Sequence, residues 1–409
     1  MGRVALPRSA HSPITVLRNA AEVSAMGWRL IRMRSGSRPV TEADVSHRNC
    51  FNTLRLGAAV AVLVSHSFAV VARHEPSVGT NTVGRVAVLV FFVISGFLIT
   101  QSWLREPRLG RYLLKRGLRI FPALVAVLGL TALVLGPIVT TLPGGSYLHS
   151  YGTWSYIFQN TAFRTVYELP GVFGGNAHPR AVNASLWTLP VEVHAYLMVA
   201  ALGLLSVLRT RAAAVAAFVA VGLISFSAPH PTEAVLGAPD LVRAFAAGAL
   251  LFLWRDRIPW RAWIAASLVV AWLLLANSGR IGQGLAIAAV AYTTVLVAHH
   301  GPDILRRLTH RRDVSYGIYL WAFPVQQTTA LVLRGITPLE MMAVALPITS
   351  VLALASWTVI ERPALRLKSI GLRGLPAAAR TLVPVSSRPA HPAAAMGVVG
   401  PERPRSDGP

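Results

Sequence analysis

The chain has 409 residues, of which 54% are hydrophobic and only 13% charged, and its mean hydropathy is +0.53. That balance excludes an ordinary soluble globular protein and points to a polytopic membrane protein. Lys and Arg number 39 against 16 Asp and Glu, a net charge of +23. The excess is spread over many loops instead of being gathered in one groove with aromatic residues, so nucleic acid is not an expected partner.

Residues 1–48 read as a basic cytoplasmic segment. Ile14, Leu17, Ala21, Leu30 and Met33 recur at loosely helical spacing among arginines, the pattern of a helix that lies on a membrane surface. No apolar run of the signal-peptide kind occurs there, so no cleavable leader is expected. Met26 and Met33 leave a later start open.

Apolar windows then recur at 54–73, 84–103, 118–141, 186–208, 211–228, 235–254, 260–277, 281–298, 314–334 and 339–360. Each is long enough to cross roughly 30 Å of hydrocarbon as a helix. The sequence therefore predicts an all-α polytopic membrane protein with about ten transmembrane helices over 49–367, although Pro239, Asp240, Arg243 and Pro324 interrupt some windows. After Lys368 the chain turns rich in Pro, Ala, Arg and Ser, which reads as a disordered cytoplasmic tail over 368–409.

Basic residues orient the spans, because short cytoplasmic loops collect Lys and Arg. With the N-terminus inside, inner segments hold the arginines up to Arg55, then Arg105 to Arg119, Arg209 and Arg211, Arg255 to Arg261, Arg306 to Arg312, and those from Arg362 onward. Outer segments hold only Arg73, Arg85, Arg164, Arg180, Arg280 and Arg334. Both termini are expected to be cytoplasmic. The one long outer segment, 142–185, carries Trp154, Tyr156, Phe158 and Tyr167 among glycines and prolines, and either caps a cavity or dips into the interface.

Within the spans, Arg55 and His66 are the most informative pair. Eleven helical steps of 100° bring both side chains to one face, roughly 16 Å apart along the axis. Arg55 can stay at a membrane surface while His66 is carried to mid-bilayer depth, where an ionisable group suggests a functional site. His66 is read either as a packed, satisfied histidine or as a proton-transfer group. Arg116 and Arg119, at i and i+3, place two guanidinium groups side by side at the inner mouth of the third helix, suited to phosphates but equally to positive-inside anchoring. Glu192 is a carboxylate several residues inside a span, read as a site residue or as half of a structural bond. Ser95 and Gly96 read mainly as small residues permitting close helix packing. A lone Cys50 offers no disulfide and no thiolate pair, and no metal is expected.

Taken in order, Asn52-Thr53-Leu54-Arg55 with His66, Phe91-Phe92-Val93-Ile94-Ser95-Gly96-Phe97, Arg116 and Arg119 before Pro122, Ser185-Leu186-Trp187 with Glu192, Ser315 to Trp321, and Ile360-Glu361-Arg362-Pro363 resemble the acyltransferase-3 family of integral membrane O-acyltransferases. The resemblance covers 49–367. It implies transfer of an acyl group, often acetyl from acetyl-CoA, to a hydroxyl of a cell-envelope glycan, lipid-linked sugar or secondary metabolite; the Ala- and Arg-rich composition points to a bacterial source, and the inner membrane is the expected location. The resemblance implies catalytic roles for His66 and Arg55, and donor binding by Arg116 and Arg119. The family often has Asp where Asn52 stands and His where Ala322 stands. In this reading His66 is the general base or carries the acyl group covalently. Glu192, entering from the outer side, binds a sugar hydroxyl or orients His66. Intramembrane His66, Glu192 and Arg243 also fit a transporter or lipid exporter, and donor dependence discriminates the two.

Overall fold

The structure is a computed structural model that describes residues 49–143, 145–227, 238–308 and 313–370. The expected surface helix at 14–33 and the tail at 368–409 lie outside the described residues, apart from the last turn of the final helix. The helices pack as one unit that ends at Lys368.

Ten helices coincide one for one with the ten apolar windows. They are α1 (Phe51–Ala69), α2 (Val83–Arg105), α3 (Leu109–Val139), α5 (Ala184–Leu204), α6 (Arg211–Ser227), α7 (Pro239–Trp254), α8 (Ala262–Leu274), α9 (Arg280–His300), α11 (Ser315–Val332) and α12 (Pro338–Leu367). Shorter helices include α4 (Tyr151–Thr161) in the long loop, which the single turn Ser146–His149 precedes, and α10 (Asp303–Leu308) near the chain's later basic stretch. Among the described residues five helices, α2, α3, α5, α9 and α12, are long and apolar enough to cross a membrane, and α6 and α8 are shorter apolar helices. In α1 the polar residues Asn52, Arg55, Ser65, His66 and Ser67 dilute an otherwise apolar span.

The residues that interrupt the sixth window are accommodated. Pro239 occupies the first turn of α7, where its missing N–H has no intrahelical partner to lose. Asp240 is tolerated because it is paired: Arg85 of α2 donates to it twice, at 2.8 and 2.5 Å. The buried Arg243 donates to the Ser225 carbonyl at 3.1 Å.

α2 is the central element, packed against α1, α7, α9 and α5. Its start is capped by Thr82, the last residue of a two-stranded antiparallel turn, β1 (Ser77–Val78) with β2 (Asn81–Thr82). Gly79 closes that turn at φ +60°, a conformation that favours glycine. α2 and α7 meet backbone to backbone: a Cβ on Gly96 would overlap the Phe245 carbonyl, and one on Gly248 would overlap that of Val93. Gly96 thus packs helices as expected, whereas its neighbour Ser95 has another role.

The turns α2–α3, α5–α6 and α7–α8 lie at one basic end of the bundle. Glu106 there takes Arg111 and Lys115, the latter at 2.9 Å, and Arg211 reaches Asp256 at 3.3 Å. Burial pushes the Glu106 carboxyl up, but those two cations outweigh it and hold it below the usual range. At the far end Ser65 donates to Glu75 and accepts from the Gly84 N–H at 3.0 Å, pinning α1 to the start of α2.

Two helices contain π-helical turns, Thr131–Leu135 in α3 and Trp357–Glu361 in α12. Such bulges re-aim side chains and recur at functional sites. The second one turns Glu361 inward, where it is buried.

Candidate active site

Near the basic end α1, α2, α3, α5, α11 and α12 enclose a cavity of about 340 Å³. Its polar wall carries Arg55, Lys115, Arg116 and Arg119 against only two carboxylates, Glu192 and Asp313, and its apolar wall includes Val88, Phe91, Phe92, Leu98 and Trp357. Four sequence-predicted site residues, Arg55, Arg116, Arg119 and Glu192, therefore converge on one space. The fifth, His66, is not among its lining residues.

The arginines are held differently. Arg119 donates to Asp313 at 2.7 Å, faces Glu361 at 3.7 Å and lies over the Tyr316 ring, 5.6 Å from its centroid. Arg55 reaches the same Asp313 oxygen at 3.9 Å. Ser315 donates to the other oxygen at 2.6 Å, so Asp313 is a hub joining α1, α3 and the start of α11. Burial pushes the Asp313 carboxyl up, but Arg119 and Arg55 outweigh it, and the group stays below the usual aspartate range. Glu361 is itself anchored by Ser356 at 3.2 Å.

Arg116 sits instead over Tyr196, 5.9 Å from the ring centroid, and its buried Nε has no hydrogen-bond partner. A buried, unmatched guanidinium N–H is costly unless a ligand supplies the acceptor. The i, i+3 pair thus faces one cavity with different partners. Glu192 closes a third polar group. It accepts from Tyr196 and, at 3.3 Å, from Ser95. Tyr319 is fixed nearby by Thr188 at 2.7 Å and the Ser185 carbonyl at 3.0 Å.

His66 lies eleven positions further along α1, toward the far end. Its ring meets the Phe323 ring edge-on at 5.2 Å, and its buried Nδ1 has no hydrogen-bond partner. Next to it Gln326 of α11 donates to the Leu63 carbonyl at 2.7 Å and Ser67 at 2.8 Å, which fixes the rotation of α1 about its axis. His178, from the loop before α5, approaches the same Phe323 ring at 5.8 Å.

Residues 48–362 match the acyltransferase domain of the acyltransferase-3 family. The protein belongs to that family. It is 31% identical over 331 residues to an O-acetyl transferase of Shigella phage Sf6, covering 77% of this chain and 95% of the relative. It is 30% identical over 380 residues to nodulation protein 10 of Rhizobium leguminosarum bv. viciae, covering 81% and 97%. No solved structure matches. The protein is accordingly a membrane O-acyltransferase.

Sequence reading missed Asp313, Tyr196 and Tyr316, which line the candidate site. Tyr196 had a signal, since it is one helical turn after Glu192. Asp313 had one too: it is an acid directly after a basic pair and just before an apolar window. Only the fold, however, brings α3 and α1 to it.

Proposed function

We propose that this acyltransferase takes an acyl group, acetyl in the first instance, from acyl-CoA and transfers it to a hydroxyl of a cell-envelope glycan, lipid-linked sugar or secondary metabolite. The basic end faces the cytoplasm in this reading, the ten helices all cross an inner membrane, and both termini are inside. The observation that carries the donor assignment is the cavity itself: four cations against two carboxylates, with Arg116 Nε buried and unmatched. That is chemistry for a polyphosphate. Arg116 and Arg119 take the donor phosphates, and Arg55 holds the same end of the donor.

The reacting thioester would then lie toward His66, roughly 16 Å along α1 from Arg55, so that the slender arm of the donor bridges the two. His66 removes the proton from the acceptor hydroxyl while that oxygen attacks the thioester carbonyl. The C–O bond forms, the C–S bond breaks, and the proton passes to the departing thiolate. Glu192 is bound by Ser95 and Tyr196 in the donor cavity, which favours a role in shaping that cavity over contact with an acceptor. The O-acetyl transferase name of one relative supports acetyl as the group moved.

The test is release of CoA thiol from acetyl-CoA by purified protein in nanodiscs, with His66→Ala alongside and direct acetyl-CoA binding measured on both. Histidine-dependent release supports the reading. Full release by His66→Ala removes the histidine from it, and absence of acetyl-CoA binding by folded protein removes the donor.

A further inference from the structure

The long outer loop, expected either to cap a cavity or to dip into the interface, runs back along α3. At the far end Thr140 donates to the Pro170 carbonyl at 2.8 Å, and the Thr141 N–H reaches Gly171 at 2.9 Å. Gly152, in the first turn of α4, sits against Pro170, 2.8 Å from where its Cβ would be. One turn earlier Tyr147 donates to the Ala132 carbonyl of α3 at 2.7 Å. At the other end of α4, the Phe163 ring packs edge-on to Phe121, 5.4 Å between centroids. Phe121 is nineteen residues below Thr140, about 28 Å along α3, and only two residues from Arg119. The loop therefore descends from the far end almost to the level of the donor cavity and returns.

Non-helical backbone at such depth survives only where its polar groups are satisfied within the protein. Here one side chain and several backbone bonds do so. Asn160 donates to the carbonyls of Tyr156 and Val166, both at 2.8 Å, and accepts from the Val166 N–H at 3.0 Å, bridging the two arms at the turn. The Arg164 N–H takes the Gln159 carbonyl at 2.8 Å. Further up, Val182 and Tyr167 pair at 2.8 Å.

α4 buries Thr153, Tyr156 and Asn160 against the protein. Its opposite face is left bare: Tyr151 is 81% and Phe158 66% exposed, with Trp154 stacked on Phe158. Spacing of i, i+3, i+7 makes these one stripe. α3 likewise leaves Val125, Leu133, Val134 and Ile138 exposed. α3 is one of the helices long and apolar enough to span the bilayer. A contiguous aromatic face of this kind is unfavourable in water and neutral in hydrocarbon.

We propose that residues 146–169 form a re-entrant membrane hairpin whose bare aromatic face is covered by lipid acyl chains. Arg164 at its turn then extends toward the headgroups of the leaflet on the basic side. This assignment does not depend on the donor or acceptor.

The chain has one cysteine, the buried Cys50, so single-cysteine labelling is clean in a Cys50→Ala background. Gly174→Cys, where a Cβ meets nothing within 4 Å, is the aqueous reference. Phe158→Cys and Trp154→Cys report the stripe. Each full-length variant is placed at one copy per nanodisc of plain phosphatidylcholine and given a membrane-impermeant maleimide, which reaches both faces of the disc. The hairpin predicts labelling of Phe158→Cys at least tenfold slower than Gly174→Cys, with the difference abolished in SDS. Equal labelling of Phe158→Cys and Trp154→Cys at the Gly174→Cys rate would overturn it, and would instead leave the stripe free in water for a soluble glycan or protein. Two reporter positions guard against one variant failing to fold, which size-exclusion chromatography detects.

Discussion

Arg119 and Asp313, separated by 194 positions in the chain, meet at 2.7 Å on the wall of the arginine-lined cavity. One carboxylate thereby sets the position of a guanidinium that the sequence could place only on a helix. Asp313 also receives Arg55, so its loss strands two cations at once. Removing one partner of a buried pair costs about 3–5 kcal/mol, but both arginines are partly exposed and Arg119 keeps Glu361. Asp313→Asn is expected to destabilise the protein by about 1–3 kcal/mol. Thermal unfolding in detergent checks this, with Arg119→Met/Asp313→Asn recovering part of the loss.

The same aspartate predicts a pH dependence. Its folded value lies below the ordinary value of about 3.9 because Arg119 and Arg55 outweigh the effect of burial. A depressed carboxylate contributes stability above its unfolded value and loses it as pH falls through the folded one. Stability attributable to Asp313 should therefore be flat from neutral pH down to about pH 5 and decline below about pH 4. Unfolding curves of wild type and Asp313→Asn should converge in that acidic window; a constant gap down to pH 2 would contradict the assignment.

Donor recognition should depend on both Arg116 and Arg119. Each charge-assisted hydrogen bond is worth about 1.5–3 kcal/mol, so Arg116→Met and Arg119→Met should each weaken acetyl-CoA binding tenfold or more. Arg116→Lys should restore charge but not the Nε donor, and recover only part of the affinity. Isothermal titration or a thermal-shift series with acetyl-CoA measures both.

His66 should separate chemistry from binding. It lies outside the cavity that contains the arginines, so His66→Ala is expected to lower acyl transfer by about 10² to 10⁴, the range for a lost general base. Acetyl-CoA affinity should stay within about threefold of wild type. A parallel loss of binding would place His66 in the donor site.

The α2–α7 contact has no room for a methyl group, because a Cβ at either Gly96 or Gly248 collides with backbone and not with a movable side chain. Gly96→Ala and Gly248→Ala should each cost at least about 1–3 kcal/mol. Monodispersity after detergent extraction and the unfolding midpoint test this, with Gly57→Ala, where nothing lies within 4 Å, as the neutral control.

The ten apolar windows were legible because a helix buried in hydrocarbon or among other helices must be apolar along its whole length, whatever its neighbours. The interruptions were legible only as interruptions. That Asp240 is tolerated because Arg85 grips it twice is a fact about two helices 155 positions apart. The long loop kept both of its expected alternatives open, since its aromatics suit a cap or an interface equally. The ring contact of Phe163 with Phe121 joins residues 42 positions apart and could not be read from the chain.

The sequence by itself determined the class of the protein, its helices, its basic end and four of the cavity's side chains, because hydropathy, charge bias and motif order are properties of the chain read locally. The tertiary structure decided what those side chains do to one another. It gave Arg119 to Asp313 and Glu361, left Arg116 Nε unmatched, tied Glu192 to Ser95 and Tyr196, and set His66 apart beside Phe323. The physical reason is range: helical periodicity fixes which residues share a face of one helix, whereas hydrogen bonds and ion pairs require angstrom-scale approach between helices, and only packing sets that.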